Sequence, residues 1–174
     1  MKWLRWPGLL APASALVLVL VLASVLLWLT WPQEEEPPPR ERRYEAFTAC
    51  LLTDDRGLAG TEAKAAWDGM QAVSTAHLIK VQYLSVDGPQ TTANALAYFN
   101  TLALEGCGVV VAAGEAPIAA LSQGKSRFPG SRYVTVGAGR TSDGVLGVPA
   151  GTAEEIRAGV ESAVDRARSD ATTK

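Results

Sequence analysis

Hydrophobic and polar positions divide the chain into three zones. Leu9 to Trp31 is an apolar run, most continuous over Ala15–Trp31 (ALVLVLVLASVLLWLTW). Pro32 to Arg43, PQEEEPPPRERR, is polar, charged and proline-rich. From Tyr44 onward, short apolar runs alternate with helically spaced ones, the pattern of βαβ units.

The stretch Thr48–Gln71 organises that third zone. Ala49-Cys50-Leu51-Leu52 is short and unbroken enough to be a strand buried on both faces. It stops at Thr53-Asp54-Asp55, and Arg56-Gly57 with Gly60 break the chain into a loop. A helix is expected from Thr61, whose hydroxyl can cap it, with Ala63, Ala66, Trp67, Met70 and Val73 on one apolar face. Ligands in such folds bind off the carboxyl ends of the strands, where Asp54 and Asp55 lie.

Further strands are predicted over Ile79–Val86, Gly108–Ala113, Tyr133–Val136 and Val145–Val148. Helices are predicted over Thr91–Leu104 and Ala116–Gln123. Thr152-Ala-Glu-Glu155 is a capping box. The helix it opens aligns Ile156, Val160, Ala163, Val164 and Ala167, and the chain from Ser169 is expected to fray.

The N-terminal run is long enough to cross a hydrocarbon core of ~30 Å at ~1.5 Å per residue. Trp3 and Trp6 precede it and Trp28 and Trp31 end it, as interfacial anchors would. No small-x-small cleavage site follows it, so residues 1–31 are expected to be an uncleaved transmembrane signal anchor. The short basic tail before it and Glu34-Glu35-Glu36 after it favour an extracytoplasmic C-terminal domain. Residues 32–43 read as an extended spacer, with a docking site for a proline-binding module as the alternative.

Composition narrows the function. A formal charge of −2 and a pI near 5.5 argue against nucleic acid as partner. One His and two Cys show no metal-ligand spacing, and neither a P-loop nor a G-x-S-x-G elbow is present. No cofactor is expected, and no nucleophile set accompanies the acids, so an enzyme is not expected.

The segment LLTDDRGLAGTEAKAAWDGMQ resembles the opening of the basic membrane protein family, solute-binding lipoproteins of ABC importers that include purine nucleoside receptors. The match is carried by A-W-D-G-M-Q at Ala66–Gln71. It continues through Gly114-Glu115, Arg127-Phe128-Pro129 and Ala158-Gly159-Val160. Where the family has a D-K-S-F-N-Q pattern, this chain has Ala59-Gly60-Thr61-Glu62-Ala63-Lys64, so Glu62 and Ala63 stand for the ligand-holding aromatic and amide. The family also often has an aromatic where Glu115 stands, and the region after Leu9 has no lipid-accepting Cys.

The resemblance implies a three-layer α/β/α single lobe over residues 44–168, with a parallel sheet in the order 2-1-3-4-5. That is the first lobe of a type I periplasmic-binding fold, and the chain stops where the family crosses to a second. It further implies a small-molecule solute and an ABC-transporter permease or a homodimer mate as partner. Candidate ligand contacts are Thr53, Asp54, Asp55, Glu62 and Glu115; the alternative is that the acids are solvated loop residues. Cys50 lies in the first strand and Cys107 just before the third, and these strands are neighbours in that order. A disulfide and two buried thiols both stay open, because aligning Thr53 with Ala113 leaves the cysteines ~10 Å out of register at ~3.3 Å per residue, unless the chain kinks. His77 reads as a partner of a helix C-terminus, and Trp67 as core.

Overall fold

The computed structural model describes residues 11–29, 44–139 and 144–172. They belong to two units, Met1–Glu41 and Arg42–Lys174.

The first unit contains helix α1, Ala11–Leu29. Its 19 residues carry no charge, and Val17, Leu20, Leu22, Leu26, Leu27 and Trp28 are all exposed. Ser24, its central polar residue, donates its hydroxyl to the Val21 carbonyl at 2.9 Å. Among the described residues no helix is long and apolar enough to cross a membrane. The described length of α1 is about 28 Å at ~1.5 Å per residue, just under a hydrocarbon core. Leu9, Leu10, Thr30 and Trp31, the flanking Trp3 and Trp6, and the linker 32–43 lie outside the described residues.

The second unit is a five-stranded parallel sheet in the order β2-β1-β3-β4-β5. The strands are β1 (Thr48–Thr53), β2 (Lys80–Ser85), β3 (Val109–Ala113), β4 (Arg132–Gly137) and β5 (Val145–Pro149). The helices are α2 (Thr61–His77), α3 (Thr92–Leu104), α4 (Glu115–Gly124) and α5 (Ala153–Thr172). Strand alternation distributes the core into two layers. Ala49, Leu51, Val109, Val111, Val134 and Val136 pack under α2 and α5. Cys50, Leu52, Val110, Ala112 and Tyr133 pack under α3 and α4. The expected single lobe and its strand order are therefore observed.

Boundaries move by a residue or two, and two readings change. Thr61 is the first residue of α2 rather than its cap; Gly60 holds that position, with no side-chain hydrogen bond to the helix amides. The C-terminal tail does not fray at Ser169: α5 runs to Thr172, whose hydroxyl donates to the Arg168 carbonyl at 3.0 Å. Trp67 packs against the core layer as expected but stays partly buried, because β2 is an edge strand; its ring meets Tyr83 edge-on with centroids 5.4 Å apart. His77 closes α2 as expected, and its Nε2 lies 3.3 Å from Asp165 of α5.

The capping box forms in full. The Glu155 amide donates to the Thr152 hydroxyl at 3.2 Å, and the Thr152 amide donates to Glu155 Oε2 at 2.8 Å. The hydrogen bonds from Thr152, backbone first and hydroxyl second, hold the Glu155 carboxyl below its ordinary value. A carboxyl depressed on folding stabilises above its unfolded pKa and loses that contribution as pH falls through its folded value. Glu155→Gln should therefore melt below the wild type at neutral pH. The gap should close as the pH is lowered through and below the ordinary carboxylate range, which calorimetric melts along a pH series would show.

Cys50 and Cys107 are joined by a disulfide with Cα atoms 6.0 Å apart. The strand register is the one that separates them along the sheet, with Thr53 beside Ala113 and Cys50 beside Val110. The chain does not approach β3 along the strand line, however. It leaves α3 and turns at Gly106 (φ +80°), with the Cys107 amide still directed at the Leu102 carbonyl. Cys107 thereby lies in the α3–α4 layer, over Cys50. The Gln82 side-chain amide covers the pair, 3.4 Å from Cys50 Sγ, and donates to Glu105 at 2.7 Å.

Candidate functional site at the carboxyl edge

The chain passes from β1 through α2 to β2 on one face, and from β2 through α3 to β3 on the other. The connection reverses direction at β1 and β3, which are hydrogen-bonded neighbours. Such a switch point leaves a crevice between the two strand ends, the usual ligand position of open α/β sheets. Here it is a hollow of about 150 Å³ lined by Asp54, Arg56, Gly60, Thr61, Glu62, Ala63, Ala113 and Gly114.

Two carboxylates enter this region because two glycines make room. Gly114, at the end of β3, has φ +102°, and a Cβ there would stand 3.3 Å from the Asp54 Cβ. Gly137, at the end of β4, has φ +86°, and its Cβ would stand 3.3 Å from both Glu62 carboxylate oxygens. Both glycines have backbone angles that other residues adopt only with strain. The ends of β1, β3 and β4 and the first turn of α2 thus converge.

Asp54 is closed on itself. Its Oδ1 accepts from the Arg56 amide at 3.1 Å, and its Oδ2 accepts from Arg56 Nε at 3.0 Å and Nη2 at 2.6 Å. These bonds, then the charge of Asp54, hold the Arg56 guanidinium above its ordinary pKa. Glu62 differs: among the described residues its carboxylate makes no hydrogen bond or salt bridge. It stands in the first turn of α2, where the helix dipole favours a negative charge.

The other predicted contacts are not brought in. Thr53 is fully buried, and its hydroxyl donates to the Asp54 carbonyl at 3.1 Å. Asp55 is exposed on the turn, and Glu115 is exposed at the start of α4; neither lines the hollow. Arg56 is the residue that sequence reasoning missed. The signal was local: an Asp two residues before an Arg, in a turn closed by Gly57, is the pattern of a side chain bonding the backbone two residues on. The hollow as built presents one engaged acid, one guanidinium, one unengaged carboxylate and the Thr61 hydroxyl. Such a set suits hydroxyls or an amine better than an apolar ligand.

Comparison with known proteins extends the fold but not the chemistry. No family model matches the chain, and no curated protein matches it. Among solved structures, a candidate lipoprotein fragment from Peptoclostridium difficile 630 superposes with a TM-score of 0.58 at 10% identity, over 70% of this chain and 98% of that one. A transcriptional activator of the comK gene from Bacillus halodurans gives a TM-score of 0.46 at 15% identity, over 57% of this chain and 33% of that one. An ABC-transporter solute-binding protein from Aeropyrum pernix K1 gives 0.46 at 19% identity, over 57% and 28%. At such identities the likeness to the first is one of fold, and the other two carry no argument. What is established is the fold, an α/β single lobe with a five-stranded parallel sheet, shared at a distance with the lipoprotein fragment.

Proposed function

We propose that this chain is a membrane-anchored, extracytoplasmic, solute-binding-like module with a binding or accessory role rather than a catalytic one. The observation that carries the reading is the polar hollow at the β1–β3 switch point, lined by a Glu62 carboxylate that makes no hydrogen bond among the described residues. The disulfide suits an oxidising compartment outside the cytoplasm. The anchor reading is supported by the uncharged α1, by the satisfied Ser24 hydroxyl and by the apolar residues that continue the run on both sides.

The hollow is smaller than the ~300–1,000 Å³ of sites that enclose a whole small molecule. A partner closing over the hollow would complete it, and another copy of the chain is proposed for that, with an ABC-transporter permease as the alternative partner. The ligand class is a solute with hydroxyls or an amine, held by Glu62, Thr61 and Arg56. A planar base has no aromatic to stack on at Glu62, Ala63 or Glu115, so nucleosides should bind no tighter than roughly millimolar, about −4 kcal/mol.

The second reading is an interaction protein that kept the fold and lost the ligand. It is favoured by the closure of Asp54 on Arg56, which uses both oxygens of one candidate ligand contact. Thermal melts of residues 42–174 with a panel of sugars, amines and nucleosides separate the two. A solute at 100 times its dissociation constant should add ~2.7 kcal/mol of stability, and Glu62→Gln should remove that gain. A flat response across the panel at millimolar concentrations would leave the interaction reading.

A further inference from the structure

The opposite edge of the sheet has a different chemistry. All five strands are parallel, so Thr48, Lys80, Val109, Arg132 and Val145 begin on one amino edge. The chain enters the domain there, at Tyr44. Besides α1, four large hydrophobic side chains are exposed among the described residues: Tyr44, Leu78, Tyr83 and Leu104. Tyr83 is accounted for by its contact with Trp67. The other three lie on the amino edge, before β1, before β2 and at the end of α3, and Leu104 is 77% exposed. Tyr44 and Leu78 are tied together through the Glu45 amide, which donates to the Leu78 carbonyl at 2.9 Å.

Beside them on the same edge is an open groove of about 570 Å³, lined by Lys125, Arg132, Arg166, Tyr133 and Leu146. Among the described residues Arg132 and Arg166 make no salt bridge, and Asp170 is the one acid of the described lining. With neighbouring strands ~4.8 Å apart, the edge from β2 to β5 is ~19 Å wide. Exposed apolar tips lie at one end of it and cations at the other. The carboxyl edge instead carries Asp54, Asp55, Glu62 and Glu115. The amino edge also carries Glu45 beside Tyr44 and Glu105 beside Leu104, so an anionic surface would be attracted by the β4–β5 end of that edge and repelled by the carboxyl edge.

We propose that the amino edge is a docking surface for an anionic lipid bilayer. Leu104, Leu78 and Tyr44 enter the headgroup region, and Lys125, Arg132 and Arg166 meet lipid phosphates. The residues between the described helix and the domain favour this occupant. Positions 32–43 are 12 residues, which span at most ~40 Å fully extended, and they join the domain at this edge. The biological setting rests on the anchored reading above. The experiment omits α1, so its failure is distinguishable from failure of the anchor, which fractionation of the full chain tests separately.

Residues 42–174 contain both core layers and form a compact unit of their own. They should float with vesicles holding about 30 mol % phosphatidylglycerol and not with pure phosphatidylcholine, and less well at about 500 mM than about 50 mM salt. Each cation near the surface contributes about fivefold, so Lys125→Glu, Arg132→Glu and Arg166→Glu together should weaken binding about a hundredfold. Circular dichroism would verify that the fold is kept. In a Leu104→Trp variant, brominated acyl chains should quench the new fluorophore and spare Trp67. Equal binding to neutral vesicles, no binding to anionic ones, or indifference to the triple reversal would overturn the proposal. So would release by inorganic phosphate at matched ionic strength, which would make the groove a pocket for a free anion.

Discussion

Replacing Cys50 and Cys107 together by alanine should lower the stability of the domain by about 4 kcal/mol. The magnitude follows from the sequence separation of 57 residues. In the chain-entropy account, a cross-link over a loop of that length removes roughly that much freedom from the unfolded chain. For a domain of this size the midpoint should fall on the order of 15 °C. Both sulfurs are buried, at 0% and 2% exposure, so the bond should resist a mild reductant until the domain opens. The measurement is a pair of melts, of the wild type with and without reductant, beside the double variant. A shift below about 1 kcal/mol would show that the unfolded chain is not appreciably freer without the bond.

The second large effect is expected at Gly69. Helices α2 and α5 cross on one face of the sheet, and Gly69 is buried at the crossing. A Cβ there would run into the Arg157 carbonyl oxygen and stand 3.1 Å from the Glu161 amide nitrogen. The obstacles are backbone atoms, so the helices must separate and the core beneath them loosens. Alanine would gain ~1 kcal/mol of helix propensity. The displaced packing should cost ~1–3 kcal/mol for one added carbon and more for larger ones. We therefore expect Gly69→Ala to be destabilising by about 1 kcal/mol, and Gly69→Leu to leave little folded protein at 37 °C. Gly130, where a Cβ would meet nothing within 4 Å, is the control: Gly130→Ala should be neutral or slightly stabilising. Denaturant melts of the three variants order them, and equal stability of Gly69→Ala and Gly130→Ala would contradict the close crossing.

The contrast between these sites shows what a sequence displays and what it hides. Leu51, Val109, Val110, Val111 and Val134 form apolar runs whose length and bounding turns mark buried strands, and all are fully buried. Ile156, Val160, Ala163 and Val164 repeat at helical spacing, and that face is the buried one. These are local properties of the chain. Gly69 sits in a good helical pattern with nothing to mark it, because its reason is a helix that begins more than eighty residues later. Cys107 looked out of reach of Cys50 for a similar reason. The strand register was legible, but the oblique path of the chain from α3 onto the sheet depends on how that helix packs.

At the candidate site the division is finer. Asp54 and Glu62 fall at the end of β1 and the start of α2, which the pattern already placed at the carboxyl edge. Their roles were not legible, since Asp54 is hydrogen-bonded by Arg56 while Glu62 makes no hydrogen bond among the described residues. Asp55, adjacent in sequence, points to the exposed side of the turn. Side-chain direction in a loop is set by turn geometry, to which a count of acids is blind.

The bond between β1 and the approach to β3 also sets how the domain responds to force. A pull transmitted between an N-terminal tether and the C-terminus loads residues 44–172 in series. Positions 50 and 107 bracket the second half of β1 together with α2, β2 and α3. Those elements lie in a covalent ring that the load bypasses, so they add no contour length when the domain opens. At ~3.5 Å per residue roughly 200 Å of chain stays hidden. The extension measured at rupture should lengthen by that amount once the ring is opened chemically.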